Sequence, residues 1–324
     1  MAAPASGRSG KTLSCVYGNL GREPIALFDL AHVVLLPDAH CYAKSIGHGK
    51  IIMNYKSIGI NVALGTSNRA SLTVAAELAE RFNARVIGMA STILRAPLYY
   101  TDGSYGAELL AREETDLRRG LADAEKEFRQ ALDGRINIEW RDGLKIAKDF
   151  IPSQARSVDI VVVAAQGDSE NDPYASASPS DLVMETGRPI LVVPPSATWL
   201  DLRRILVAWK DIRESRRAVI DALPLLQKAE EVTVAEVCSA INEPEAQERV
   251  NDVAAWLLQH GVAASAITAE ETDTPEDIDS IASNMGAGLI VAGAYGHSRL
   301  RQWVLGGVTQ RFVTRPSRCV LLSR

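Results

Sequence analysis

The 324-residue sequence is poor in aromatic side chains, at 6%, and has only four cysteines. Cys15, Cys41, Cys238 and Cys319 are widely spaced and form no CxxC pair, so neither a disulfide framework nor a thiolate zinc site follows from them. Long apolar runs are missing near the N-terminus. The longest there, Ile25 to Leu36, contains Asp29 and His32 and falls well short of the roughly 20 apolar residues of a membrane helix. It also lacks the basic start and small-residue cleavage site of a secretory signal. Positive charge is not in excess: Lys and Arg number 35 against 40 for Asp and Glu, a formal net charge of -5. Such a chain is not built around non-specific nucleic-acid binding, although a local basic patch stays open. What is present is 47% hydrophobic residues and 23% charged ones, the balance of a soluble globular protein. The expectation is a cytoplasmic, two-domain protein with no nucleic-acid or membrane partner.

The first 52 residues differ from the rest. They hold three of the five histidines and two of the four cysteines, and no helix or strand period lasts in them. Gly7-Arg-Ser-Gly-Lys-Thr12 has the ending of a phosphate-binding P-loop. That loop needs a glycine five positions before Gly10, where Ala5 stands, and a preceding strand. The sequence predicts that residues 1–52 are a disordered extension or a mis-assigned start, with the fold beginning at Met53.

Beyond Met53 the sequence is written twice. Val158–Gly167 matches Ala287–Gly296, Ile58–Leu64 matches Arg203–Trp209, and Arg188–Pro194 matches Arg318–Ser323. The joint is Pro194-Pro-Ser-Ala-Thr198, where consecutive prolines forbid a continuing helix. Each half reads as five strands alternating with four helices. Strands are expected near 58–64, 85–91, 136–141, 158–164 and 189–194, with helices near 69–82, 107–132, 144–156 and 178–186. The second half places strands near 203–209, 231–238, 262–268, 287–293 and 318–323, and helices near 213–226, 244–260, 275–285 and 307–315. Pro152 should kink or end its helix early. Thr274 and Pro275 form a helix-start signal.

Ile160–Ala164 and Leu289–Ala292 are apolar at every position, as expected of parallel strands covered on both faces. The fold class is therefore α/β, with two tandem doubly wound five-stranded parallel-sheet domains at 53–198 and 199–324. Ligands of such sheets bind beyond the carboxyl ends of strands where the winding direction reverses. That directs attention to 65–69 and 165–178, and to 210–214 and 293–307.

The last of these carries the strongest signal. Gly293-Ala-Tyr-Gly296 is followed by nine residues, His297 to Leu305, and then by Gly306-Gly307 at a predicted helix start. Glycines let backbone approach a ligand closely, and a helix N-terminus offers free amides to phosphate. With the repeated element order, this Gly-x2-Gly-x9-Gly pattern resembles the nucleotide signature of the universal stress protein family. The second half, Arg204 to Ser323, is similar to one such domain. The first, Ser57 to Val193, shares the element order but lacks most of the signature.

The resemblance implies a stress-response binding or regulatory module in which ATP is the ligand to consider. It also implies an intrachain pseudo-dimer whose last strands lie together, with homo-oligomers open. Its nucleotide residues would be Gly293, Gly296, His297, Ser298, Gly306, Gly307 and Lys210. Two positions depart from the family pattern. Lys210, followed by Asp211, stands where family members end their first strand in Asp. Gly307 stands where they place a phosphate-contacting hydroxyl, a loss of roughly 0.5–1.5 kcal/mol. The first half is expected not to bind, because Asp168, Glu170 and Asp172 in its fourth turn would repel phosphate.

Other candidates weigh less. His297 has no Ser or Cys nucleophile with an orienting carboxylate near it, so no catalytic residue is assigned. The acidic cluster Glu270 to Asp277 lacks calcium-loop spacing, so no metal is assigned. Trp209, Trp256 and Trp303 read as core or interface residues, with Trp303 placed to line a ligand. Three functions stand in order: a non-enzymatic binding or regulatory module with an altered nucleotide site in its second half, an ATP-responsive switch, and an adenylate-handling α/β enzyme.

Overall fold

The computed structural model describes residues 54–94, 103–134, 137–167, 176–270, 277–296 and 307–324. The predicted extension at 1–52 and the Thr274 cap lie outside them. In the first half the order is β1 (Ser57–Asn61), α1 (Arg69–Phe82), β2 (Arg85–Thr92), α2 (Gly103–Ala131), β3 (Ile138–Leu144), α3 (Ala147–Gln154), β4 (Ile160–Ala164), α4 (Pro179–Glu185) and β5 (Ile190–Val193). The second half repeats it with β6 (Arg204–Trp209), α5 (Arg213–Leu226), β7 (Glu231–Cys238), α6 (Glu243–Gln259), β8 (Ala264–Glu270), α7 (Asp277–Asn284), β9 (Leu289–Gly293), α8 (Gly307–Thr314) and β10 (Cys319–Ser323). The predicted element order holds throughout.

Two local expectations change. β1 stops at Asn61 rather than 64. The Asn68 side chain accepts from Ala63 N and donates to Ala63 O, both at 2.9 Å, and this amide replaces a strand partner and turns the chain. Pro152 does not end α3, which runs on to Gln154 before a 3-10 turn at Ala155–Ser157. The amide that Pro152 lacks would have bonded a carbonyl in the first turn, so α3 loses a single bond near its start. The helix expected near 107–132 is α2, which carries a charged outer face. Glu108–Arg112, Glu114–Arg118 and Glu125–Arg129 pair there at one-turn spacing, at 2.6–2.7 Å.

All ten strands form one sheet in the order β3-β2-β1-β4-β5-β10-β9-β6-β7-β8. Neighbours are parallel except at the centre, where β5 and β10 run antiparallel with Val192, Leu191 and Ile190 opposite Val320, Leu321 and Leu322. Each half is thus a doubly wound five-stranded parallel sheet, and the two join through their last strands. One core lies beneath α1, α2, α5 and α6, holding Leu72, Phe128, Ala218 and Val250, with Leu191 and Leu321 from the seam. The other lies beneath α3, α4, α7 and α8, with Ile151, Leu182, Ala282 and Phe312 around Val192 and Val320. Both cores cross the seam without a break. Burial of each such aliphatic or aromatic side chain stabilises by about 1.5–3 kcal/mol.

Polar bonds also cross it. The Tyr55 hydroxyl donates to Asp221 O at 2.5 Å. The segment joining the halves is pinned to α1, where Glu77 accepts from Leu200 N at 2.9 Å and Arg81 donates to Leu200 O at 2.8 Å.

Candidate functional site

In the second half the winding reverses between β6 and β9, which are neighbours with Ala208 opposite Ala292. Their carboxyl ends therefore open side by side, as the sheet geometry requires of a ligand crevice. After Trp209 the chain turns tightly, Ile212 N donating to Lys210 O at 2.7 Å, and α5 begins at Arg213. Lys210 is exposed there. Asp211 pairs with Arg216.

Gly293 ends β9 and Gly296 follows three residues later, both against the start of α5. A Cβ on Gly293 would fall 2.5 Å from Ser215 N, and one on Gly296 would fall 2.1 Å from Ile212 Cδ1. The close backbone approach that the glycines permit is thus taken up first by packing between the two turns. Tyr295, between them, adopts a left-handed φ of 57°, and its hydroxyl donates to Ser180 Oγ on α4 at 2.7 Å. Such a backbone costs a non-glycine residue about 1–3 kcal/mol and is held by its surroundings.

The electrostatics of the crevice are mixed. Glu214 in the first turn of α5 is 3% exposed, accepts from Arg213 Nε at 2.6 Å, and would lie 3.2 Å from a Gly296 Cβ. Glu236 on β7, opposite Trp209, is also buried and is clamped by Arg249 Nη2 and Nε at 2.6 and 3.1 Å. That bonded carboxylate raises the Arg249 pKa. Among the described residues, Trp209 Nε1 on β6 and Gln310 Oε1 on α8 are buried without a hydrogen-bond partner, as are Trp140 Nε1 on β3 and Gln227 Oε1 after α5. Each such orphan costs about 1–3 kcal/mol, relieved by ordered water or a polar ligand. Among the described residues, no group of three or more His, Cys, Asp or Glu could hold a metal ion.

The structure brings the Lys210 turn together with Gly293 and Gly296 and places Gly307 as the first residue of α8. His297, Ser298 and Gly306 lie outside the described residues, as does Trp303. Trp209 is a core residue and Trp256 packs partly buried against the same core. Glu214, Ile212 and Tyr295 were not picked out from sequence. The place of Tyr295 inside the Gly293-Ala-Tyr-Gly296 turn was a usable signal for it. Glu214 reads as an ordinary acid in a first helical turn, and its burial appears only in the fold.

The first half is different. Its turn after β4 has Gln166 N donating to Val313 O at 3.0 Å and Gly167 N donating to Thr314 O at 2.9 Å. The acidic residues expected beyond Gly167 lie outside the described residues. The turn after β1 is filled by Asn68, 2% exposed, which also donates to Glu127 Oε2 at 3.1 Å.

No protein-family model matches the sequence, and no curated protein matches it. Solved structures do. A universal stress protein from Archaeoglobus fulgidus is similar with a TM-score of 0.59 at 14% identity, covering 82% of this chain and 98% of that one. A protein of unknown function from Pseudomonas aeruginosa gives 0.49 at 15% identity, covering 83% and 92%. A putative universal stress protein, also from Pseudomonas aeruginosa, gives 0.47 at 18%, covering 83% and 93%. The first alignment, at 82% of this chain, extends over both halves. The chain has the universal stress protein fold in tandem.

Proposed function

We propose that this chain is a binding or regulatory module of universal stress type, with residues 53–198 and 199–324 as its two units. Its adenine-nucleotide site lies in the second half and is partly altered. The observation that carries this is the asymmetry between the fourth turns. In the second half the glycine turn meets the Lys210 turn and the start of α5 at the winding reversal. In the first half the corresponding amides of Gln166 and Gly167 are bonded to carbonyls of α8. Gly293, Gly296, Gly306 and Gly307 would supply backbone amides to phosphate, with His297 and Ser298 in the same loop. Lys210 in place of a nucleoside-fixing carboxylate weakens adenosine recognition. With no nucleophile and base assembled among the described residues, the role assigned is binding rather than catalysis.

Mass spectrometry of the full chain purified without added nucleotide, followed by titration calorimetry with ATP, tests this. The expected result is no tightly retained nucleotide and weak, second-half binding. A tightly retained nucleotide, or ATP turnover by the purified chain, would displace this reading. A second reading, an ATP-responsive switch, is favoured by the exposure of Lys210 at the mouth of the crevice, where its ammonium suits a phosphate. Low-micromolar ATP affinity that falls on Lys210→Asp would put that reading first.

A further inference from the structure

The ten-stranded sheet ends in β3 on one side and β8 on the other, and these two edges are built differently. β3, with sequence IEWRDGL, carries Glu139, Arg141 and Asp142. Its charges are tied into ion pairs, Arg141–Glu139 at 2.8 Å and Arg85–Glu139 at 3.6 Å. Charged side chains on an edge are a recognised guard against pairing with another chain. β8, with sequence ASAITAE, has one charge, Glu270, at its last position. It has no proline, lysine or glycine. All seven of its residues pair with β7 on one side, and among the described residues no other strand pairs with it. Up to Glu270 β8 is uncharged, as are β5 (ILVV) and β10 (CVLLS), the strands that the molecule itself joins antiparallel at its centre.

The side chains of β8 extend the comparison. Ala264 and Ala266 pack on the core beneath α6, so Ser265 and Ile267 lie on the opposite face, where Ser265 is exposed and Ile267 is 36% exposed. We propose that the β8 edge is an interface that takes the β8 edge of a second copy of this chain, antiparallel and centred on Ile267. In that register Ala264 lies opposite Glu270, Ser265 opposite Ala269, Ala266 opposite Thr268, and Ile267 opposite its own counterpart. The two Glu270 carboxylates then stand at opposite ends, about 20 Å apart, whereas a parallel pairing would set them side by side. The strand is thus self-complementary in one direction only, as a two-fold interface requires. A seven-residue edge buries less than the roughly 1,200 Å² of a stable standard interface, so the dimer is weak and depends on concentration.

Sedimentation equilibrium of the full chain over a wide concentration range should show a reversible monomer–dimer equilibrium. Ile267→Lys places two ammonium groups directly opposite and should weaken the dimer about tenfold or more, with circular dichroism confirming the fold. Ile267→Cys, treated with a short bismaleimide, should give a cross-linked dimer beyond the level of the parent chain, and Glu139→Cys on the other edge should not. A parent chain monomeric at every concentration overturns the proposal. So does a dimer indifferent to Ile267→Lys, or one that Glu139→Cys captures as readily as Ile267→Cys.

Discussion

The backbone amide of Gly167 donates to the carbonyl of Thr314 at 2.9 Å, tying the fourth turn of the first half to the last turn of α8 in the second. A helix C-terminus carries partial negative charge. The first-half turn therefore faces carbonyl oxygens and has spent two of the amides that phosphate would need. In the second half Ala294 N bonds Ser323 O just as Ala165 N bonds Val193 O in the first, and Gly293 and Gly296 then pack against the start of α5. Two turns alike in sequence pattern thus differ in what they pack against, α8 in one half and the start of α5 in the other.

Hydrogen exchange should register that difference. Addition of ATP is expected to slow exchange within 293–307 and to leave 165–178 unchanged. Protection confined to 165–178 would reverse the assignment of the site.

Restoring the family's residues should strengthen binding. Gly307 lies within α8, in a helical conformation that serine adopts without strain, so Gly307→Ser adds a hydroxyl near the helix N-terminus. One recovered hydrogen bond corresponds to up to about tenfold in affinity. Lys210→Asp should add to it, and both single changes need calorimetric titration because neighbouring sites couple. If Lys210→Asp weakens binding while Gly307→Ser strengthens it, Lys210 is a phosphate ligand.

The order of elements was legible in the sequence for a physical reason. Buried parallel strands such as Ile160–Ala164 are apolar without alternation, and the repeat doubled the signal. That the two last strands lie together was implied by the family resemblance, and their antiparallel direction appears only in the fold. Packing between turns was not legible. Gly293 and Gly296 read as ligand-facing glycines, yet their missing Cβ atoms first make room for Ser215 and Ile212. The burial of Glu214 depends on that same packing. A single sequence shows that a glycine is present but not which neighbour needs the space.

Alanine at the two glycines separates these demands. Gly293→Ala drives a Cβ to 2.5 Å from a backbone nitrogen in the first turn of α5, which cannot yield without moving the helix. Gly296→Ala meets the far end of the Ile212 side chain, which can change rotamer. Urea denaturation should give a loss of about 1–3 kcal/mol for Gly293→Ala and a smaller one for Gly296→Ala. Equal losses would mean that the approach of the turn to α5 is looser than these contacts require.

The fold should weaken in alkali through two buried acids. Burial, reinforced by the nearby Asp221 and Asp159 charges, raises the pKa of the Tyr55 hydroxyl well above its ordinary value of 10.0. Burial, with a smaller contribution from Glu77, pushes the Cys319 thiol up to about 12 from 9.0. In the unfolded chain both groups ionise nearer their ordinary values. Their neutral, buried forms therefore contribute stability that is complete below about pH 9 and is lost as pH rises toward 12. Each group titrating only when unfolded steepens the loss by up to about 1.4 kcal/mol per pH unit. Tyr55→Phe should cost about 0.5–1.5 kcal/mol at neutral pH, because its bond to Asp221 O is lost, yet flatten the decline above pH 10. Cys319→Ala should flatten it from about pH 9. Urea denaturation across this range measures both slopes, and a Tyr55→Phe chain that declines as steeply as the parent would show that the hydroxyl ionises in the folded state.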